Sequence, residues 1–126
     1  MAEFSKILLS GSTDGQGISI TATTPGGGTV IHTAVSGPTP GSYDEVWAYA
    51  YSTVTTTAQL NMSIGPTTNT GSRWSYTVSA GDPAGLHLVA PGLVISNAMQ
   101  TKCWVTTADA FRIFGYANRI LVTTAT

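Results

Sequence analysis

The stretch Ala58-Gln59-Leu60-Asn61-Met62-Ser63-Ile64 decides the fold class. Ala58, Leu60, Met62 and Ile64 alternate with Gln59, Asn61 and Ser63, and a period of two sends successive side chains to opposite faces of an extended chain. One face suits a core, the other water. Gly65-Pro66 then stops the run. Working outward, similar runs rich in β-branched and aromatic residues occupy 4–9, 17–23, 29–35, 45–53, 73–79, 86–90, 102–107 and 111–120. Turn formers separate them: Asp14-Gly15, Pro25-Gly26-Gly27-Gly28, Pro38-Thr39-Pro40-Gly41, Gly81-Asp82-Pro83 and Pro91-Gly92, where Gly accepts positive φ and Pro fixes φ. No run carries a convincing helical period. About nine short strands with regular punctuation predict an all-β, antiparallel two-sheet sandwich, a jelly roll ahead of an immunoglobulin-like arrangement. No linker divides the chain, so residues 1–126 are expected to form one domain.

Charge is scarce. Asp, Glu, Lys and Arg make up 9% of the 126 residues and the net charge is −1, against about 25% charged residues in an ordinary soluble domain. Thr, Ser, Gly and Asn must carry the polar surface instead. Such a surface costs little to desolvate, and charge is depleted in the cores of protein interfaces, so the composition suits a chain packed against copies of itself or a partner. The five basic residues, Lys6, Arg73, Lys102, Arg112 and Arg119, are dispersed. They form no cluster to counter a phosphate backbone, and nucleic acid is not an expected partner. No apolar stretch approaches the length of a membrane helix, and Met-Ala-Glu-Phe-Ser-Lys lacks a secretory pattern, so no membrane partner is expected and synthesis in a cytoplasm is.

The search for chemistry finds none that holds together, and no catalytic residue, metal or cofactor is assigned. Asp44 and Glu45 are the only adjacent acids, but strand neighbours point to opposite faces and cannot flank one bond. They read as the solvated lip of a strand. Glu3, Asp14, Asp82 and Asp109 stand alone in termini or loops. His32, in Val30-Ile31-His32-Thr33-Ala34, reads as a hydrogen-bonded structural histidine. His87 and the lone Cys103 lack the spacing of a metal site or a nucleophile motif, and Cys103 reads as a small buried side chain. Gly26-Gly27-Gly28 has no following Gly-Lys-Ser/Thr and is a turn, not a phosphate cradle.

Aromatic residues are a better lead. Trp47, Tyr49 and Tyr51 share one strand face opposite Val46, Ala48 and Ala50, and Trp74 and Tyr76 repeat the pattern. Two solvent-facing stripes would make a stacking platform for surface glycans; an inward stripe would be core or subunit contact, the favoured reading. At the N-terminus, Phe4, Ile7, Leu8 and Leu9 make residues 1–12 a candidate docking segment, or equally the first core strand. Phe4, Ile7, Leu8, Leu9, Trp47, Tyr49, Tyr51, Trp74 and Tyr76 are therefore the candidate interface.

Five stretches together, SKILLSGSTDG at 5–15, VIHTA at 30–34, DEVWAYA at 44–50, LVAPGLVI at 88–95 and FGYANRI at 114–120, resemble small virion proteins of tailed bacteriophages of the head decoration (cement) type. The resemblance implies a β-rich structural protein, not an enzyme, located on the capsid surface of a virion assembled in the host cytoplasm. It implies the major capsid protein as partner and a homo-oligomer, a trimer at local threefold positions being favoured. It supplies no active-site residues, and a tail or fibre component would share these features.

Overall fold

A computed structural model describes residues 2–24, 28–36, 42–54, 56–65, 72–78, 85–106, 108 and 110–122. Among them are nine strands and no helix: β1 (Ala2–Leu8), β2 (Ile18–Ser19), β3 (Thr29–Thr33), β4 (Tyr43–Ser52), β5 (Ala58–Ile64), β6 (Arg73–Val78), β7 (His87–Ile95), β8 (Gln100–Val105) and β9 (Phe111–Val122). No helix is long and apolar enough to cross a membrane. β5 has the limits its alternation predicts, and its Ala58, Leu60 and Met62 are buried.

All pairings are antiparallel. The five-stranded sheet runs β1–β9–β4–β7, with β2 also on β9, and the four-stranded sheet runs β3–β8–β5–β6. β1 and β2 lie on the flank of β9 that β4 leaves open, so they act as two halves of one strand. The two orders are then those of a jelly roll. The run at 17–23 is a single strand in the sequence pattern but only Ile18–Ser19 pair with β9. The chain then crosses to the other sheet, where Ala22 O accepts Val105 N–H at 2.9 Å.

The strand predicted at 86–90 does not stop at Pro91-Gly92. β7 continues to Ile95 through register shifts against β4. The sheet tolerates Pro91 because β7 is an edge strand, where a missing N–H need not break a ladder. Gly92, at φ +72, lies under the Trp47 indole, and a Cβ there would come within 2.9 Å of Trp47 Cζ2. Gly115 in β9 is tighter: its Cβ would meet Trp47 O at 2.1 Å. Asp14-Gly15 adopts the positive φ expected of its turn. The expected turns at Pro25, Gly26, Gly27, at Pro38, Thr39, Pro40, Gly41 and at Gly81, Asp82, Pro83 lie outside the described residues, as does Asp109.

The core lies between the sheets. Phe111, Ile113, Leu9 and Ile20 meet Ile31, Leu60, Met62 and Val105 there, and the five-stranded sheet also contributes the small residues Ala48, Ala50, Ala90 and Ala117. Small inward residues leave room for large ones from the facing sheet. Trp74 of β6 packs against this core and reaches the opposite sheet, its Nε1–H donating to Val89 O at 2.8 Å.

Candidate functional site

The alternation of β4 sorts its residues onto two surfaces of different chemistry. Asp44, Val46, Ala48 and Ala50 point inward and are buried, whereas Glu45, Trp47, Tyr49 and Tyr51 point outward.

On the inner surface Asp44 has no exposed area, which overturns its reading as part of a solvated lip. It is kept there by two partners. Arg119 of β9, its neighbour in register, donates Nε–H to Oδ1 at 2.8 Å and Nη2–H to Oδ2 at 2.9 Å. His32 of the opposite sheet, also fully buried, places Nε2 2.7 Å from Oδ2. A bulge in β3 makes this possible, because the register shift between Val30 and His32 turns both Ile31 and His32 into the interior. The Ser10 backbone N–H donates to His32 Nδ1 at 3.0 Å. Nδ1 is thus the acceptor, and Nε2 carries the hydrogen that goes to the carboxylate. Burial works to raise the Asp44 pKa, but the hydrogen bonds from Arg119 and His32 and the charge of Arg119 outweigh it and hold the carboxyl below its usual range. The bonds to Asp44, with the carboxylate charge, in turn raise the Arg119 pKa.

This cluster clamps the two sheets together. Both histidine nitrogens are committed, and the Ser10 hydroxyl accepts Thr33 N–H at 2.7 Å. His87 is elsewhere, its ring 5.5 Å from that of Tyr76. Cys103 is buried, and burial pushes its thiol far above the usual range. Among the described residues no group of His, Cys, Asp and Glu has the arrangement of a metal site.

The outer surface of the five-stranded sheet is a grid whose rows are set by the pairings. Phe4, Ile120 and Tyr43 form one row. Lys6, Asn118, Glu45 and Val94 form the next, and Leu8, Tyr116, Trp47 and Pro91 the third. Phe114, Tyr49 and Leu88 make the fourth, and Arg112 and Tyr51 the last. Phe4 is 75% exposed, Val94 58% and Leu8 49%. Large apolar side chains exposed on one sheet face are a feature that interaction sites share. The corresponding face of the other sheet carries Gln59, Asn61, Ser75 and Thr77, with the Arg73 guanidinium 5.2 Å from the Trp104 ring centroid.

The candidate interface residues divide accordingly. Phe4, Leu8, Trp47, Tyr49 and Tyr51 lie on the open face. Leu9 is buried, and Ile7, Trp74 and Tyr76 pack against the core. The two aromatic stripes therefore face opposite ways and form no common platform. Residues 2–8 are the first strand, paired along their length with β9.

One row of the open face is polar. Glu45 Oε1 accepts Trp47 Nε1–H at 2.7 Å and Asn118 Nδ2–H at 3.1 Å, and these bonds lower the Glu45 pKa. The Trp47 and Tyr116 rings lie 6.5 Å apart and 17° from parallel, and Lys6 Nζ sits 4.5 Å from the centroid of Tyr116. A shallow depression of about 460 Å³ between the first two rows is lined by Phe4, Lys6, Tyr43, Glu45, Asn118 and Ile120.

No protein-family model matches the chain, and neither a curated protein nor a solved structure shows significant similarity to it. Ser10, His32, Asp44 and Arg119 fall within the stretches 5–15, 30–34, 44–50 and 114–120 respectively, so those four stretches meet at the inter-sheet clamp.

Proposed function

We propose that the protein is a structural virion protein of a tailed bacteriophage, bound to the outer capsid surface as a decoration (cement) protein that stabilises the head. The observation that carries the reading is the open face of the five-stranded sheet, which groups the exposed Phe4, Leu8, Tyr51, Leu88 and Val94 on one side of the sandwich. A protein of this kind needs a contact surface and no chemistry. It stabilises a shell by binding the assembled form and not its dissociated parts, and many modest contacts add up through multivalency. The scarcity of charge and the resemblance to head decoration proteins support the same reading. A jelly roll alone would not, since the fold hosts unrelated functions.

Purified protein added to undecorated capsids tests the proposal. Saturable binding and a higher temperature of thermal rupture are expected; no binding and unchanged rupture would overturn it. A glycan-binding role, on a tail or fibre component or on the capsid, is the second reading. It is favoured by the outward Trp47 and Tyr116 rings beside Glu45 and Asn118. A glycan array probed with the wild type and with Trp47→Ala decides it, loss of specific signal in the variant being the supporting result.

A further inference from the structure

The polar row of the open face has an order with a consequence for what covers it. Across three adjacent strands it reads Lys6 on β1, Asn118 on β9 and Glu45 on β4. It is positive at one end, neutral in the middle and negative at the other. Lys6 and Glu45 lie two strand spacings apart, about 10 Å, and neither takes part in an ion pair among the described residues. Lys6 rests instead on the Tyr116 ring, and Glu45 Oε2 has no hydrogen-bond partner among those residues.

Covering this face with an apolar partner would strip both charges of water without compensation, which is costly. The partner must therefore present an acid opposite Lys6 and a base opposite Glu45 at the same spacing. This chain presents that pair. We infer that the open face binds a second copy of itself, about a two-fold axis lying in the plane of contact, parallel to β9 and passing over Asn118. That operator brings Lys6 of one protomer over Glu45 of its partner and the reverse, which is the reciprocity of an isologous interface. An in-plane axis perpendicular to the strands would stack like charges and is disfavoured.

The flanking rows agree with the same axis. Phe4, the most exposed apolar residue of the face at 75%, falls over Tyr43 of the partner subunit, and Leu8 falls over Trp47 of the partner subunit. Strands related by such an axis are nearly aligned, as in face-to-face sheet packing. Three strands at about 4.8 Å spacing and the length of β4 give a flat footprint on the order of 500 Å² per protomer. With side-chain relief, two such footprints reach the lower end of specific interfaces, about 1,200 Å² in total. The dimer is expected to be reversible, and the overlap leaves Leu88 and Val94 of β7 uncovered.

The inference takes from the proposed function only that the open face is an assembly surface; a second copy and a capsid compete for it, and the reversible dimer opens where the face meets a shell. Sedimentation equilibrium of the full chain over a concentration range tests it. Wild type is expected to be dimeric. Lys6→Glu and Glu45→Lys are each expected to weaken the dimer by roughly tenfold or more, since like charges then face each other. An equimolar mixture of the two variants, whose charges are complementary, is expected to dimerise again. A carbodiimide cross-link between Lys6 and Glu45 in wild type, formed between isotopically light and heavy copies, gives the same answer without a variant.

A monomer at all concentrations, a trimer, or variants that dimerise as wild type does would each overturn the inference. So would the absence of that cross-link from a wild-type dimer. A monomer that still binds capsids leaves the decoration reading intact, and a dimer with the predicted cross-link that binds no capsid leaves only the inference. A monomer whose Trp47 resonances shift with simple hexosides would assign the face to saccharide.

Discussion

Asp44 and Glu45 are neighbours in the chain and differ by one methylene group, yet one lies wholly between the sheets and the other stands on the open face. Strand geometry fixes the separation, since consecutive side chains leave opposite sides of the sheet. The partners each acid finds then decide its role. Asp44 meets Arg119 and His32 and becomes a cross-link between the two sheets. Glu45 is oriented by Trp47 and Asn118 but retains an unused oxygen. The same functional group is spent on the fold in one case and left open on the surface in the other.

Removing the charge of Asp44 should break this contrast most severely. Asp44→Asn leaves Arg119 with a neutral partner and turns an amide toward a donor. Breaking a buried ion pair costs about 3–5 kcal/mol, and because Arg119 is 28% exposed and can rehydrate, urea denaturation should register a loss near the lower end of that range. A change under about 1 kcal/mol, the scale of an exposed pair, would show that the clamp is not a stabilising element.

The two tryptophans repeat the comparison on a smaller scale. Trp74 faces inward and hydrogen-bonds across the sandwich, so Trp74→Ala should cost about 3 kcal/mol, as large-to-small core changes do. Trp47→Ala, on the open face, should cost about 1 kcal/mol or less. Equal losses, measured by the same denaturation, would mean that the outer aromatic row is as much part of the core as the inner one.

Acid should act through the inner residue. The Asp44 pKa in the folded protein lies below its ordinary value of 3.8, so its stabilisation is complete well above that value. It is lost as the pH falls through it towards the folded-state pKa. The denaturation midpoint of the wild type should therefore drop more between about pH 5 and about pH 3 than that of Asp44→Asn. Parallel profiles would remove Asp44 from the acid response.

The sandwich was readable because alternation and turn residues are local signals. β5 shows this at both ends. Signals failed where the chain uses the third dimension. The bulge in β3 that turns His32 inward leaves no pattern of its own, and Pro91 looks like a stop until β7 is known to be an edge. Asp44 did have a signal: it shares parity with Val46, Ala48 and Ala50, and a carboxylate on that face must find a donor. Arg119 had none, since only register places it beside Asp44. The direction of the Trp74 stripe was equally hidden, because an aromatic alternation reads the same from either side of a sheet.

Glu45→Gln provides the finest cut between the two acids. The amide keeps an oxygen to accept from Trp47 and Asn118, and only the small preference of these bonds for a charged acceptor is lost, so the denaturation midpoint of the monomer should move little. In the proposed two-fold dimer of the open face, the variant loses each Lys6 to Glu45 ion pair but adds no like charge, since its oxygen stays with Trp47 and Asn118 and the uncharged amide NH2 faces Lys6 of the partner subunit. The dimer should weaken by only a few-fold, less than with either charge reversal, and should lose much of its sensitivity to salt, since exposed and rim ion pairs are the part that salt screens. A salt response as steep as that of wild type would place the electrostatic contact elsewhere on the face.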